Sequence, residues 1–547
     1  QAQSDLIANT AGLTMAAIRG ASLPEKITDR VETTNSALLF YTEHTVGYHA
    51  SVSEPFHKYT MEQRRLKESY AWEAGRRAKM LGEETMGQLQ NFIQRENDPS
   101  LIVFNTLNWN RSSLCKVYID HQILPRYTPF SITDQMGNQA KAQPVEHHSD
   151  GTYWMVWVED VPAFGYKKYV IKTDKNHPVE TLPQKETEKQ EIENQWYKIL
   201  IDNRKGAISS IFDKELNQEL TDANAPYKLG EFIYELLDNR SQMESKRLDN
   251  YTRETPDSVW FEAYETGEVW NTLRFRANTR AATGDGALSF EIRLFNVAKR
   301  IDLAYAIEKK LVTDPEGIYI AFPLALENGQ LAFDVQGGEV RAGIDQIPGS
   351  SNDWNTVQNY ARLSNDKAQI ILSSAEIPLM QFGGINTGRY KAGATPETTY
   401  IYGWPMNNYW VTNFNADQHG GHTWTYTLTS RKENTLQDAT RFGWGHRMPF
   451  LSRVLPGGGS GEKVWQKSFI SGWGENILLV SAIPAQDGKS AIFHVRETGG
   501  KTCTFNLKNE FTSAGLKCTQ VDVTGTLVEN GNLELKPFES KFFRVGF

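Results

Sequence analysis

The segment YKILIDNRKGAISSIFD, residues 197–213, alternates apolar and polar residues on both sides of Lys205-Gly206. This alternation is typical of strands with one buried face, and the Lys-Gly pair between them predicts a hairpin turn. Between about residues 196 and 430, similar short runs alternate with Gly, Asn and Asp turns. A further all-β segment at about 468–547 ends in KPFESKFFRVGF, whose alternation predicts a closing edge strand. The larger part of the chain is therefore predicted to be β-sheet.

The first hundred residues have the period of helices instead. Two helices are predicted at about 4–20 and 29–41, and Asp98-Pro99-Ser100 is predicted to end a longer one. Three such helices predict a small bundle. The long helix is indicated by apolar positions that recur every three or four residues, which are Leu66, Tyr70, Ala74, Ala78, Leu81, Thr85, Leu89 and Phe92.

The fold class predicted from these patterns is mainly β with an N-terminal helical bundle. LIVFNTLNW (101–109) and two strands around a Pro-Gly turn in 153–172 predict a small sandwich after the bundle. The polar stretch from Thr173 to about Glu193 is predicted to be a linker. The predicted domains are a helical bundle at 1–97, a small β-sandwich at 98–173, a large β-sandwich at 190–465 and a C-terminal β-sandwich at 466–547.

The composition excludes several classes of protein. The net charge of −8, without a clustered basic face, argues against binding to nucleic acid. A membrane span is not expected, because no run of about twenty apolar residues is present. Gln1-Ala-Gln-Ser shows no basic and apolar leader, although a processed or truncated start would look the same. Cys115, Cys503 and Cys518 fit neither a zinc ribbon nor a disulfide framework. Cys503 and Cys518 could meet across adjacent strands, but we expect buried free thiols.

Two segments carry candidate functional residues. In LLFYTEHTVGYHAS (38–51), His44 follows an apolar helical stretch, and its imidazole is either a zinc ligand or a capping or core histidine. GWPMNNYWVTNFNADQHGGHTW (403–424) combines amides, which both donate and accept hydrogen bonds, with indoles that stack on sugar rings. The same pattern also fits a loop whose Asn side chains bind its own backbone. Asp345 and Asp353, in GIDQIPGSSNDWN, are further site candidates or turn residues.

The order of several segments points to one family. EHTVG (43–47) precedes the long helix, and VFNTLNWNR (103–111) follows it. This order resembles the later part of the α-mannosidase-like enzymes of glycoside hydrolase family 38, especially their bacterial branches, from about residue 29 to the end. The later motifs are EKKLVTDPEGIYIAFP (308–323), DQIPGSSNDWNTVQNY (345–360), FGGINTG (382–388) and MNNYWVTNF (406–414).

The resemblance implies a galactose-mutarotase-like super-sandwich in 190–465 and a catalytic α/β domain N-terminal to the bundle. It also implies a retaining reaction in which a carboxylate forms a glycosyl-enzyme and a zinc ion binds sugar hydroxyls. In the family, the nucleophile and three zinc ligands come from the α/β domain, and a fourth ligand is a His at the start of the bundle. His44 matches that last position. Residues expected to line the carbohydrate side are Asn407, Asn408, Tyr409, Trp410 and Asp353.

The sequence departs from the family pattern before His44. No His-x-Asp segment precedes it, 43 residues leave no room for an α/β domain, and Thr45 stands where many members carry Asp. We therefore assign no catalytic residue to this chain. The α/β domain is expected as a partner in cis or as a cleaved chain, and zinc is expected only with it. The compartment stays open, with a soluble bacterial periplasmic or secreted location favoured.

Two other functions stay open. The first is a carbohydrate-binding relative that never had the catalytic domain. The second is a lyase or mutarotase-like enzyme on the same sandwich, for which His419, His422 and Arg389 are the candidate cluster.

Overall fold

The structure is a computed structural model that describes residues 1–43, 47–173, 188–350, 352–388, 395–461, 464–529 and 531–547. Its helices are α1 (Ala2–Ile18), α2 (Ile27–Tyr41), α3 (Lys58–Gln90), α4 (Ser241–Glu244) and α5 (Leu436–Arg447). Its strands are β1 (Ser100–Asn105), β2 (Arg111–Asp120), β3 (Phe130–Thr133), β4 (Ala142–His147), β5 (Gly151–Val161), β6 (Gly165–Thr173), β7 (Glu191–Glu193), β8 (Tyr197–Asp202), β9 (Ala207–Asp213), β10 (Gln218–Glu219), β11 (Phe232–Leu237), β12 (Tyr251–Glu254), β13 (Ser258–Glu265), β14 (Trp270–Asn278), β15 (Leu288–Phe295), β16 (Ile301–Lys309), β17 (Glu316–Phe322), β18 (Gln330–Val335), β19 (Gly338–Arg341), β20 (Asn355–Thr356), β21 (Ala361–Ser364), β22 (Gln369–Ser374), β23 (Leu379–Phe382), β24 (Ile401–Asn407), β25 (Gly420–Arg431), β26 (Leu451–Leu455), β27 (Gln466–Ser468), β28 (Ile470–Ser471), β29 (Ile477–Pro484), β30 (Ser490–Glu497), β31 (Cys503–Thr504), β32 (Lys508–Asn509), β33 (Lys517–Val521), β34 (Glu534–Leu535) and β35 (Ser540–Gly546).

The chain divides into two compact units. One consists of Gln1–Leu39, Tyr70–Leu182 and Met448–Phe547, and the other of Phe40–Ser69 and Pro183–Arg447. The domain boundaries predicted from the sequence stay a prediction.

The first unit contains the three helices predicted from the sequence, α1, α2 and α3, with α2 and α3 continuing past its boundaries. Apolar residues of all three helices meet in one small core, which includes Ala78 and Leu81 of the predicted α3 stripe. The prediction is wrong at both ends of that stripe, because Leu66 is 57 % exposed and α3 ends at Gln90, before Phe92 and Asp98-Pro99-Ser100. Arg30 on α2 also binds Glu84 on α3 through two hydrogen bonds of 2.7 and 2.8 Å. The residues of this core are Leu6, Leu13, Ile27, Val31, Ala78 and Leu81.

A small sandwich in the same unit packs the sheet β26-β1-β6-β27 on the sheet β2-β5-β4. The strands predicted on both sides of the Pro-Gly turn are present as β5 and β6, and they belong to different sheets. Beyond it, β29, β30, β35 and β33 form a further sheet in that order. The prediction that KPFESKFFRVGF ends in an edge strand is wrong, because β35 pairs with β30 on one side and with β33 on the other.

The second unit is a large sandwich. A nine-stranded sheet has the order β13-β14-β15-β16-β25-β22-β21-β18-β19, and a six-stranded sheet has the order β12-β11-β17-β24-β23-β20. Both contribute their inner side chains to a single large core, to which the predicted hairpin β8-β9 also belongs. Gly206 in the hairpin turn has φ +57°, and a Cβ there would lie 2.1 Å from the Phe290 ring, so glycine is required.

The predicted fold class, mainly β with an N-terminal helical bundle followed by a large and smaller sandwiches, is confirmed. The predicted linker lies mostly outside the described residues, and its described end forms β7. Among the described residues, the structure shows no helix with the length and apolar character needed to cross a membrane.

Candidate functional site

The six-stranded sheet has a second apolar surface on the side away from the large core. Strand alternation produces it, because Phe232 and Tyr234 of β11 join the large core while Ile233 and Leu237 join the outer cluster. We call this surface the outer aromatic face. Its ring-bearing residues are Tyr227, Tyr251, Tyr319, Trp354, Tyr400, Tyr402, Trp404, Tyr409 and Trp410.

Stacked rings connect the sheet with its surface. Tyr319 and Trp404 lie parallel on β17 and β24, with ring centroids 5.8 Å apart and an angle of 3° between the planes. Trp354 contacts Trp404 at 5.7 Å and Trp410 at 5.3 Å, and Trp410 contacts Phe414 at 5.9 Å. Trp404 is buried and Trp410 is half-buried. The row of rings therefore runs from the buried Trp404 to the half-buried Trp410 and Phe414, which a ligand can reach.

A charged pair lies within this apolar surface. Glu235 on β11 and Arg253 on β12 are directly opposite in the antiparallel register, and Nε of Arg253 donates a hydrogen bond to the Glu235 carboxylate. The Glu235 side chain is 0 % exposed, and that of Arg253 is 16 % exposed. Burial lowers the pKa of Arg253, but the Glu235 carboxylate raises it by more, so the guanidinium stays cationic.

Asn408, predicted to bind substrate, is occupied by the backbone. Its Oδ1 accepts a hydrogen bond from the Glu316 N–H at 2.6 Å. Its Nδ2 donates to the carbonyl oxygens of Ala416 at 2.6 Å, Asp314 at 3.0 Å and Val312 at 3.3 Å. The residue is buried. Asn408 therefore fixes the start of the 408–419 loop, and its role toward a substrate stays a prediction.

The other three residues of Asn407–Trp410 differ in access. Asn407 is half-buried, and its Oδ1 is shielded from water without a hydrogen-bond partner among the described residues. Tyr409 is fully buried and donates its hydroxyl to Glu235 at 2.6 Å. Trp410 thus offers a stacking surface that a ligand can reach, and the Asn407 carbonyl oxygen has unused acceptor capacity that is shielded in this structure.

The 408–419 loop is attached to the segment that follows His44. The Gly47 N–H donates to the Asn413 carbonyl at 2.5 Å, and the Thr412 hydroxyl donates to the His49 carbonyl at 2.8 Å. Arg64 on α3 binds the Asp417 carboxylate at 2.9 Å. His44 and Thr45 lie outside the described residues. Gly47 and His49, which follow them in the chain, are nevertheless in contact with the loop that carries Trp410.

The described residues do not form a metal site. No three His, Cys, Asp or Glu side chains in the described parts of the chain come together as a metal ion would require. In the candidate cluster, Nδ1 of His419 binds Asp417, and Nε2 of His422 lies 3.0 Å from the Gln418 carbonyl. Arg389 lies outside the described residues.

Asp345 and Asp353 have different surroundings. Asp345 binds Arg341 with an N–O distance of 2.7 Å on the surface, which holds the pKa of Asp345 below its usual range. This contact matches the turn role. Asp353 is buried beside Trp354 and lines a cavity at the edge of the outer aromatic face. Its role as a substrate ligand stays a prediction.

Comparison with protein-family models identifies residues 192–375, which match the "Glycosyl hydrolases family 38 C-terminal domain". Over these residues the chain is similar to a family 38 C-terminal domain. The recognition of this family from the ordered motifs is thereby confirmed. A comparison with curated proteins gives no significant match.

Solved structures agree in fold with this assignment. An α-mannosidase from Enterococcus faecalis matches with a TM-score of 0.72 at 12 % identity, over 100 % of this chain and 66 % of its own. A glycosyl hydrolase family 38 protein from the same organism matches with a TM-score of 0.71 at 12 % identity, over 99 % of this chain and 69 % of its own. This chain therefore spans about two thirds of the length of these two proteins.

Sequence reasoning missed the pair of Glu235 and Arg253, which lies within the family 38 domain. A signal was present, because FIYELL places one carboxylate in an otherwise apolar strand, which is rare without a partner. The partner was not predictable, since Arg253 is one of 58 basic residues and only the register of β11 with β12 selects it.

Proposed function

We propose that this chain is the C-terminal portion of an α-mannosidase-like glycoside hydrolase that acts on carbohydrate. The observation that carries the proposal is the family 38 C-terminal domain at residues 192–375. The likeness in fold to an α-mannosidase over 100 % of the chain supports it. The chain spans 66 % of that protein, and this supports a longer polypeptide in which another domain completes the enzyme.

In this proposal, Trp410 and Asn407 form the carbohydrate side of the chain. The half-buried indole of Trp410 offers a flat apolar surface for the C–H face of a sugar ring. The Asn407 carbonyl oxygen has no partner among the described residues and accepts a sugar hydroxyl. Asn408 and Tyr409 hold the loop and the sheet behind them, and Asp353 contributes at the neighbouring cavity.

The proposal extends to the parts that the chain does not supply. An α/β domain, in cis or as a cleaved chain, contributes the carboxylate nucleophile of a retaining reaction and most ligands of a zinc ion. His44 is proposed as the remaining ligand. When bound, the zinc ion would orient sugar hydroxyls and stabilise developing charge. A periplasmic or secreted location is proposed for the whole enzyme.

A carbohydrate-binding protein without catalysis is the second candidate. One observation favours it. Glu235, the carboxylate in the middle of the outer aromatic face, is fully buried and already binds Arg253 and Tyr409. It is therefore not available as a nucleophile or as a general acid, whereas Trp410 and Asn407 serve binding alone.

Hydrolysis of aryl α-mannosides separates the two candidates. We expect no turnover by this chain and measurable turnover by the product of the complete reading frame. Turnover lost on His44→Ala in the complete protein supports the proposed ligand. An inactive complete protein that still binds mannose oligosaccharides favours the second candidate.

Calorimetric titration with mannose oligosaccharides tests the binding side. Trp410→Ala is expected to weaken binding about tenfold, since losing an aromatic contact costs about 1 kcal/mol or more. Trp72→Ala is the matched control, because the Trp72 side chain on α3 is 80 % exposed. Equal affinity of Trp410→Ala and the unchanged chain would overturn the assignment of Trp410.

A further inference from the structure

A cavity of about 170 Å³ lies at the edge of the outer aromatic face, where the loops after β19 and β23 meet β12. It is far richer in hydrogen-bonding groups than the aromatic face itself. Its lining includes Arg253, Gln346, Asp353, Asn355, Phe382 and Asn386.

One lining group lacks a partner. Arg253 is held by its Nε, which donates to Glu235, and by the Tyr251 ring, whose centroid lies 4.7 Å from the guanidinium carbon. Its Nη2 is shielded from water and has no hydrogen-bond acceptor among the described residues. A buried cationic N–H without an acceptor is unfavourable, so an oxygen atom of a ligand in the cavity would relieve a real deficit.

The walls of the cavity are fixed by hydrogen bonds among themselves. The Gln346 amide donates to Asn355 at 2.8 Å and accepts from the Gly343 N–H at 2.9 Å. On the opposite side, Gln381 accepts from the backbone N–H groups of Asn386 at 2.5 Å and Thr387 at 3.1 Å. Such a site is organised before a ligand arrives, which favours specific binding.

Glycine is required in one wall. Gly383 has φ +80°, and a Cβ there would lie 2.8 Å from Pro396. The chain therefore passes close to Pro396 only because residue 383 has no side chain.

We propose that this cavity binds one pyranose ring of a neutral carbohydrate, with Arg253 donating a hydrogen bond from Nη2 to a hydroxyl or ring oxygen. This site would be a second place for a sugar, besides the one proposed at Trp410. The inference rests on the proposed function only in that it takes carbohydrate as the class of ligand. It does not require that the chain take part in hydrolysis.

The size and charge of the cavity select this ligand class. A cavity of about 150 Å³ holds benzene, so 170 Å³ has room for one six-membered ring and not for a chain of rings. The charged lining residues in the described part are Arg253, Asp353 and Glu397, and the charge of Arg253 is already balanced by Glu235. An anionic ligand would therefore face an excess of carboxylates. Carboxylates and amides are instead suited to the hydroxyls of a neutral sugar.

Binding of methyl α-D-mannopyranoside, methyl β-D-glucopyranoside and methyl β-D-galactopyranoside to the full chain tests the proposal, by saturation-transfer NMR and titration calorimetry. We expect at least one glycoside to bind. Arg253→Met is expected to weaken that binding about ten- to a hundredfold, the effect of losing a hydrogen bond to a charged group. Absence of binding by all three glycosides would overturn the proposal.

A second variant covers the case in which Arg253→Met fails to fold, since it leaves Glu235 without its cation. Gly384→Leu fills the cavity without touching that pair, because a Cβ at Gly384 meets no atom closer than Asn386 Oδ1 at 3.5 Å. It should abolish binding. Gly337→Leu is the matched control, since a Cβ there meets nothing within 4 Å. Unchanged affinity of folded Gly384→Leu would refute the cavity as the site.

Trp410→Ala distinguishes this inference from the proposed function. If glycoside binding persists in Trp410→Ala and is lost in Gly384→Leu, the cavity is the site, whether or not the complete protein hydrolyses mannosides. If binding is lost in Trp410→Ala and persists in Gly384→Leu, the cavity is excluded while the proposed role of Trp410 stands.

Discussion

Tyr409 donates its phenolic hydrogen to Glu235 at 2.6 Å, across a position on β17 where Gly317 has no side chain. Gly317 is opposite Glu235 in the register of β17 with β11. A Cβ on Gly317 would lie 2.1 Å from the Tyr409 oxygen. Burial, with Tyr319 and Glu235 nearby, raises the pKa of Tyr409 well above 10, so the phenol remains a donor.

This relationship predicts the effect of a single methyl group. Gly317→Ala is expected to lower the free energy of unfolding by about 1–3 kcal/mol, because the methyl group and the hydroxyl occupy the same space. Tyr409→Phe removes that hydroxyl but leaves Glu235 with one donor fewer, at a similar cost. In the double variant, the total loss in the free energy of unfolding should be smaller than the sum of the two single losses. Urea unfolding measures all three, with Gly337→Ala as the control, and full additivity would contradict the steric account.

Asn408 and Asn407 are adjacent asparagines whose substitution is expected to affect the stability of the fold very differently. Asn408→Asp replaces the Nδ2 donor by an acceptor that faces the carbonyl oxygens of Ala416, Asp314 and Val312. We expect a loss of about 2–4 kcal/mol in the free energy of unfolding at neutral pH. Asn407→Ala removes an amide oxygen that is shielded from water and has no partner in the described chain. Its stability should change little, and thermal unfolding of the two variants gives the comparison.

The sequence predicted Asn408 as a sugar ligand because its amide is suited to hydroxyls. The same amide is equally suited to the four backbone groups that surround it in the tertiary structure. Those groups include Val312 and Glu316, which lie 96 and 92 positions away along the chain. A local pattern does not contain that information. The bundle was predictable because its signal, the spacing of the buried residues from Ala74 to Leu89, lies within one helix.

Strand pairing shows the same limit. The alternation in KPFESKFFRVGF correctly indicates a strand, and Phe543 and Val545 are its buried positions. Alternation gives the buried face but not the number of neighbours, so the edge position was predicted wrongly. Glu235 and Arg253 likewise meet only through the register of two strands.

Cys115 is expected to be inert in the folded protein. It is 1 % exposed on β2, and burial raises the pKa of its thiol to about 11. The reactive thiolate is therefore scarce at pH 8 as well as inaccessible. Cys503 and Cys518 are free but half-buried, so the prediction of buried thiols is wrong for these two residues. Titration with a chromogenic disulfide reagent should count at most two thiols in the native chain and three in urea. Cys115→Ser should leave the native count unchanged, and a lower native count would contradict the prediction.

Acid should release the loop that carries Trp410 before the sandwich unfolds. Burial raises the pKa of Asp417, but the hydrogen bond with His419 and the charge of Arg64 lower it by more, so the folded-state pKa lies below the ordinary 3.8. A lowered pKa means that the ionised Asp417 stabilises the fold above about pH 5 and that this stability is lost as the pH falls toward the lowered pKa. The Asp417 side chain is 1 % exposed.

Asp417→Asn tests this linkage. At neutral pH we expect the variant to lose about 2–3 kcal/mol, since it removes one partner of a largely buried ion pair whose arginine is still partly solvated. Below pH 4 the variant and the unchanged chain should converge, because the native Asp417 is then increasingly protonated. Urea unfolding from pH 7 to pH 3 measures the difference, and Asp345→Asn, at the exposed pair with Arg341, is the control with a small effect expected throughout. The free energies of unfolding of Asp417→Asn and the unchanged chain could instead differ by the same amount at every pH. That result would show that Asp417 stabilises the loop by its shape and not by its charge.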